Sequence, residues 1–139
     1  MISIENDIFT LVAEALRASF PNIFVVGEYT PIPAKLPAAM LYEADNYVLA
    51  RHSTIKVENY VLVTYVLSVF SNKTVGKKSE AKAISDVADE VLAGLGFTRT
   101  SRMQVPNMAD ATIFRLESRY EAVVGHGKES GTYQIYQNT

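Results

Sequence analysis

Only two side chains in this sequence, His52 and His126, can exchange protons near neutral pH without a shifted pKa. Neither has a carboxylate or a second histidine close by at ligand spacing, so both read as surface histidines. The one pair of adjacent carboxylates is Asp89-Glu90. It falls in a helical stretch, where neighbouring residues point apart, so it makes no catalytic dyad. The nearest approach to a phosphate loop is Lys73-Thr74-Val75-Gly76-Lys77-Lys78-Ser79. It precedes a helix, and helix N-termini attract anions. With one glycine and no Walker spacing it reads as a solvated turn capped by Ser79. A Gly-x-Ser-x-Gly elbow and a His-Glu-x-x-His helix are both absent. Cysteine is absent too, which excludes disulfides and thiolate metal sites. No catalytic, metal or cofactor residue is assigned, and an enzyme is not expected.

The most regular pattern in the chain is instead a charged one. From Ala111 to Val124, Thr112, Phe114, Leu116, Ser118, Tyr120, Ala122 and Val124 alternate with Ile113, Arg115, Glu117, Arg119, Glu121 and Val123. In a strand the second set shares a face with its members ~7 Å apart, close enough for a ladder of ion pairs. Opposed charges on such a face suit either solvent or a subunit interface, where they set register.

The elements that must carry these residues follow from period. Ile4, Ile8, Leu11, Val12, Ala15 and Leu16 predict an amphipathic helix over residues 4–19, capped by Ser3 and stopped by Pro21. A short strand is expected at 23–29. Pro31, Pro33 and Pro37 then make an extended connection, and a second strand covers 38–45. Residues 46–57 have no clean period and read as a protruding hairpin or long loop. Strand 59–71 is largely apolar on both faces, with Val61, Val63, Tyr65, Leu67 and Val69 on one and Tyr60, Leu62, Thr64, Val66, Ser68 and Phe70 on the other. One side meets the helices. The other needs a cover that a short chain does not obviously supply, and a neighbouring subunit is one source. Ala81, Ile84, Ala88, Val91, Leu92 and Leu95 stripe a second helix over 79–95, ended by Gly94 and Gly96. A strand follows over 97–105. Residues 125–139 form a polar tail in which Tyr133, Ile135 and Tyr136 alternate enough to add a strand. The fold class is α+β, ordered α-β-β-β-α-β-β. About five mainly antiparallel strands in the order 1-2-3-5-4 carry both helices on one face, in a single domain over 1–124 followed by the tail.

Bulk properties agree with a single domain. A chain of 139 residues buries roughly two thirds of its unfolded surface. Net charge is −2, with 48% hydrophobic and 20% charged residues, so avid binding to DNA phosphates is not expected. No apolar run approaches the ~20 residues of a membrane span. The start of the chain lacks the basic region of a signal peptide.

Three stretches carry a resemblance to a known family. They are Phe20-Pro21-Asn22-Ile23-Phe24-Val25-Val26-Gly27-Glu28-Tyr29 with the proline-spaced segment after it, residues 69–82, and Gly94-Leu95-Gly96-Phe97-Thr98-Arg99 through to Phe114-Arg115. Together they resemble the tail-terminator, or tail-completion, proteins of long-tailed phages and prophages of Gram-positive bacteria, minor structural proteins of the virion. The resemblance implies a homo-hexameric ring at the head-proximal end of the tail, assembled in the host cytoplasm. Its partners would be the tail-tube protein and a head–tail connector protein, with DNA passing through the lumen without specific binding. It implies no enzymatic activity, cofactor or membrane. On that reading Arg115, Glu117, Arg119 and Glu121 are candidate interface residues, and Tyr47, Arg51, His52 and Lys56 candidate contacts on a projecting loop. Two other classes stay open on the residues alone. A stopper or head-completion protein would contact portal or adaptor. A small-molecule-binding domain would enclose a pocket on the apolar side of the sheet.

Overall fold

The computed structural model describes residues 2–49, 60–127 and 132–136. These form α1 (Glu5–Ser19), β1 (Phe24–Val26), β2 (Ala38–Val48), β3 (Tyr60–Ser71), α2 (Lys77–Leu95), β4 (Thr98–Pro106), β5 (Phe114–His126) and β6 (Tyr133–Tyr136). The sheet runs β1-β2-β3-β5-β4, the order expected from short connections, with β6 also on β5. β1 lies parallel to β2, and every other pairing is antiparallel. The protein is an α+β fold with both helices on one face.

That face holds the main core. Ile8, Val12 and Leu16 of α1 and Ala81, Ile84, Ala88 and Leu92 of α2 pack on Val61, Val63, Tyr65, Leu67, Val69, Leu116, Tyr120, Ala122 and Val124. The alternation of β5 from Phe114 to Val124 is therefore its burial pattern, whereas β3 alternates only from Tyr60 to Tyr65 and is buried on both faces from there to Ser71. Two tyrosines end on carboxylates carried by other elements. Tyr65 donates to Glu43 Oε1 at 3.2 Å, and Tyr120 donates to Asp89 Oδ1 at 2.8 Å. Burial, reinforced by those carboxylates, raises both phenol pKa values, so both hydroxyls remain donors at any ordinary pH.

Helix ends and stripe edges differ from expectation. Ser3 does not cap α1. Ile4 occupies the cap position without a side-chain bond, because Ile2 and Ile4 are both drawn into the core, which turns Ser3 outward. Leu11 is 45% exposed, and Ala13 is buried in its place. The helix rests on a neighbouring helix as well as the sheet, which rotates its buried stripe. Ser79 is not the cap of α2 either. Gly76 is, at φ 87°, a left-handed turn that glycine enters without steric cost. Gly96 ends α2 at φ 105°, with its N–H on the carbonyls of Ala93 and Leu92, as a C-terminal glycine should.

Residues 46–48 are strand, which fits the hairpin reading of 46–57 over the loop one, and residues 50–59 lie outside the described residues. Asn46, Tyr47 and Val48 pair with Val63, Leu62 and Val61, past an irregularity between Glu43 and Asp45. The irregular register is what hid their period. Strand five begins later than expected, leaving Thr112 exposed, while Ile113 is buried. The sheet also runs beyond residue 124. β5 continues to His126, and β6 takes the stretch of β5 from Val123 to His126 that β4 leaves open.

Glu43 is the carboxylate with the most crowded setting. Its N–H donates to Glu5 Oε2 at 2.6 Å. Burial first, and then the charges of Glu5 and Asp45, raise its pKa above the ordinary 4.5. A raised carboxylate pKa means that the ionised form is disfavoured by folding. Glu43's own contribution to stability is then greatest below pH 4.5 and is lost as pH rises through the elevated value. Glu43→Gln keeps an acceptor for Tyr65. It is expected to match wild type in chemical denaturation at pH 3.5 and to exceed it at pH 7. Equal stability at both values would refute this.

Candidate functional site

The helix-free face of the sheet is the candidate site. In β5 it carries Arg115, Glu117, Arg119 and Glu121, which lie opposite Phe70, Ser68, Val66 and Thr64 of β3. The expected ladder forms in part. Arg115 Nη2 meets Glu117 Oε2 at 2.8 Å, and Arg119 Nη2 meets Glu117 Oε1 at 3.5 Å.

The chain supplies part of the missing cover itself. The segment 27–37 between β1 and β2 lies as a strap over one end of this face. Beneath it Ala38, Met40, Phe70 and Ile113 form a second small core, with Phe24, Val26 and Leu36 packed against it. Arg115 is the latch. Its Nη1 donates to the Tyr29 hydroxyl at 3.0 Å. Its guanidinium lies 4.8 Å from the Tyr29 ring centre and 5.7 Å from that of Phe70. Asn107 holds the strap from another side, donating to the Pro31 carbonyl at 3.1 Å. Tyr42 joins the group with its ring 6.4 Å from that of Tyr29. Burial and the Glu117 carboxylate push its phenol pKa up.

The sequence-derived candidates therefore separate. The Arg115 and Glu117 side chains are 12% and 15% exposed and serve the strap. Arg119 is half exposed and Glu121 partly buried. Tyr47 is 59% exposed near the end of β2, towards the other end of the sheet from the strap. Arg51, His52 and Lys56 lie outside the described residues. Tyr29 and Tyr42 were missed, because nothing local ties residue 29 to residue 115. The signal available was an arginine placed opposite an aromatic-rich strand and a proline-spaced segment able to lie flat.

Arg119→Glu tests the exposed part of the face. Arg119 contributes one long, solvent-screened contact, worth less than about 1 kcal/mol. The variant is expected to melt within a few degrees of wild type and to associate or dock more weakly. Unchanged assembly would remove this residue from any interface.

His126 is exposed at the end of β5, with its ring 5.9 Å from that of Tyr133. Among the described residues, no group of three or more histidine, aspartate or glutamate side chains is placed to hold a metal ion. Among the described residues, no helix is long and apolar enough to cross a membrane. An open cleft of about 830 Å³ lies beside α1, β1 and the strap, rather than as an enclosed cavity on the helix-free face.

No family model matches the sequence, and no curated protein matches it. Among solved structures, the fold is similar to a chain in the virion of a native gene transfer agent particle. The TM-score is 0.53 at 13% identity, over 81% of this chain and 90% of that one.

Proposed function

We propose that this chain is a non-enzymatic structural subunit of a phage-like virion, and specifically the ring that terminates the tail tube and joins it to the head. The observation that carries the first part is the likeness to a virion chain over 90% of that chain's length. The tail-terminator resemblance of residues 20–37, 69–82 and 94–115 supports the second. The surface fits the role. A ring needs two different patches per subunit, each of ~800 Å² in a standard interface. The molecule has a half-covered sheet face on one side, and exposed apolar side chains at Ile32, Val75 and Met108 away from it or at its rim. The far end of β2, where Tyr47 is 59% exposed, would dock on tube or connector. DNA would cross the lumen without being gripped, as the net acidic chain favours.

Negative-stain imaging of tails assembled with and without the protein tests this. Overlong tails that fail to join heads, restored by adding the protein, are the expected result. Tails of normal length that lack only head attachment would favour a stopper or head-completion component. Fully normal particles would remove the virion role.

A further inference from the structure

Two surface features complement each other in shape and charge. The first is the open cleft of about 830 Å³ at the β1 edge of the sheet. Its apolar lining includes Phe9, Phe24, Ile32 and Leu41, and its charged lining is Glu5, Glu28 and Arg17. The second is the turn between β3 and α2. It holds Val75 out in solvent at 81% exposure, flanked by exposed Lys73, Lys77 and Lys78.

The lysines of this turn are placed against the helix's own electrostatics. Lys77 and Lys78 open α2, where the macrodipole disfavours cations, and its last turn holds no basic residue. Among the described residues every ion pair uses an arginine, at positions 99, 102, 115 and 119. Among the described residues, the only side-chain hydrogen bond from this lysine group is Lys77 Nζ to the Thr112 carbonyl at 3.3 Å. Glu80 shares the first turn of α2 but accepts from Ser71 Oγ at 2.7 Å, so an apolar knob flanked by ammonium groups outside any ion pair among the described residues faces an apolar recess with carboxylates in its lining.

We propose that the turn around Val75 of one copy of this chain inserts into the Glu5–Glu28 cleft of a second copy. Val75 packs against Phe9, Phe24 and Ile32, and the lysines face the two carboxylates. Knob and recess are different patches, so the contact is heterologous and propagates from copy to copy, as a ring requires. It names the subunit contact for the ring proposed above, and it can be tested apart from that role.

The absence of native cysteine makes disulfide trapping free of background. Val75→Cys and Ile32→Cys, each as a single variant, are mixed at high concentration under mild oxidant, and separately on assembled tails. A mixed disulfide dimer is expected in at least one setting, and in excess of that formed by Val75→Cys with a Leu11→Cys control. Adding Lys77→Glu and Lys78→Glu to the Val75→Cys copy should lower the yield about tenfold at low salt. Adding Glu28→Lys to the Ile32→Cys copy should then restore it. All of these positions are surface ones, and unchanged melting of each variant confirms that folding is not the cause. No excess dimer in either setting, or a yield indifferent to the charge swaps, overturns the contact. If the dimer forms while tails are normal without the protein, the contact stands and the tail role falls.

Discussion

Arg115→Met is expected to destabilise the fold by about 3 kcal/mol, the lower end of the range for breaking a buried ion pair. At this chain length that corresponds to a fall in Tm of roughly 10 °C. The pair is well covered, with side chains 12% and 15% exposed at 2.8 Å. Removing the guanidinium leaves the Glu117 carboxylate with only Arg119 at 3.5 Å. It also releases the Tyr29 hydroxyl and the ring contact that pins the strap. A buried charge without its partner is the larger penalty, so the second substitution should act in the opposite direction. Arg115→Met with Glu117→Leu is expected to recover to within about 1 kcal/mol of wild type, since apolar residues can replace a buried pair at little cost. Denaturant titrations of the two single variants and the double decide the matter. A double variant as unstable as Arg115→Met alone would show that clamping Tyr29, rather than neutralising Glu117, is what the arginine does.

Leu92→Ala is expected to cost about 2–5 kcal/mol, the range for a fully buried leucine that leaves a cavity. Leu92 is 0% exposed and belongs to the core that α2 shares with the sheet. Leu11→Ala is the matched comparison. The helical period places both leucines on apolar stripes, yet Leu11 is 45% exposed, and its loss should fall within about 0.5 kcal/mol. Equal costs at the two positions would mean that α1 packs in solution in a different rotation from the one described.

Much of the architecture is local in origin, and so it was legible. The alternation in β5 is a two-residue repeat from Phe114 to Val124, and the stripe of α2 spans about five turns. Burial on one face enforces such patterns along their whole length. Short connections then left few strand orders, and β1-β2-β3-β5-β4 is the one that forms. What failed was interrupted or delegated structure. The register break after Glu43 concealed the end of β2. Buried Ile2 and Ile4 took over the anchoring assigned to Ser3. Gly76 took over the capping assigned to Ser79.

The charges on β5 mark the boundary between the two kinds of information. Parity alone puts Arg115, Glu117, Arg119 and Glu121 on one face, because side chains alternate sides along a strand. The covering of Arg115 and Glu117 by the strap, while Arg119 remains half exposed, comes from long-range packing. That depends on Tyr29, 86 positions away, and on a proline-spaced segment free to lie over Phe70. The cleft at β1 has the same character. It is assembled from α1, β1, the strap and Leu41 of β2, and no segment of the chain carries its shape alone. Residue type and spacing specify what a surface is made of, whereas concavity and burial arise from packing between segments that the sequence holds far apart.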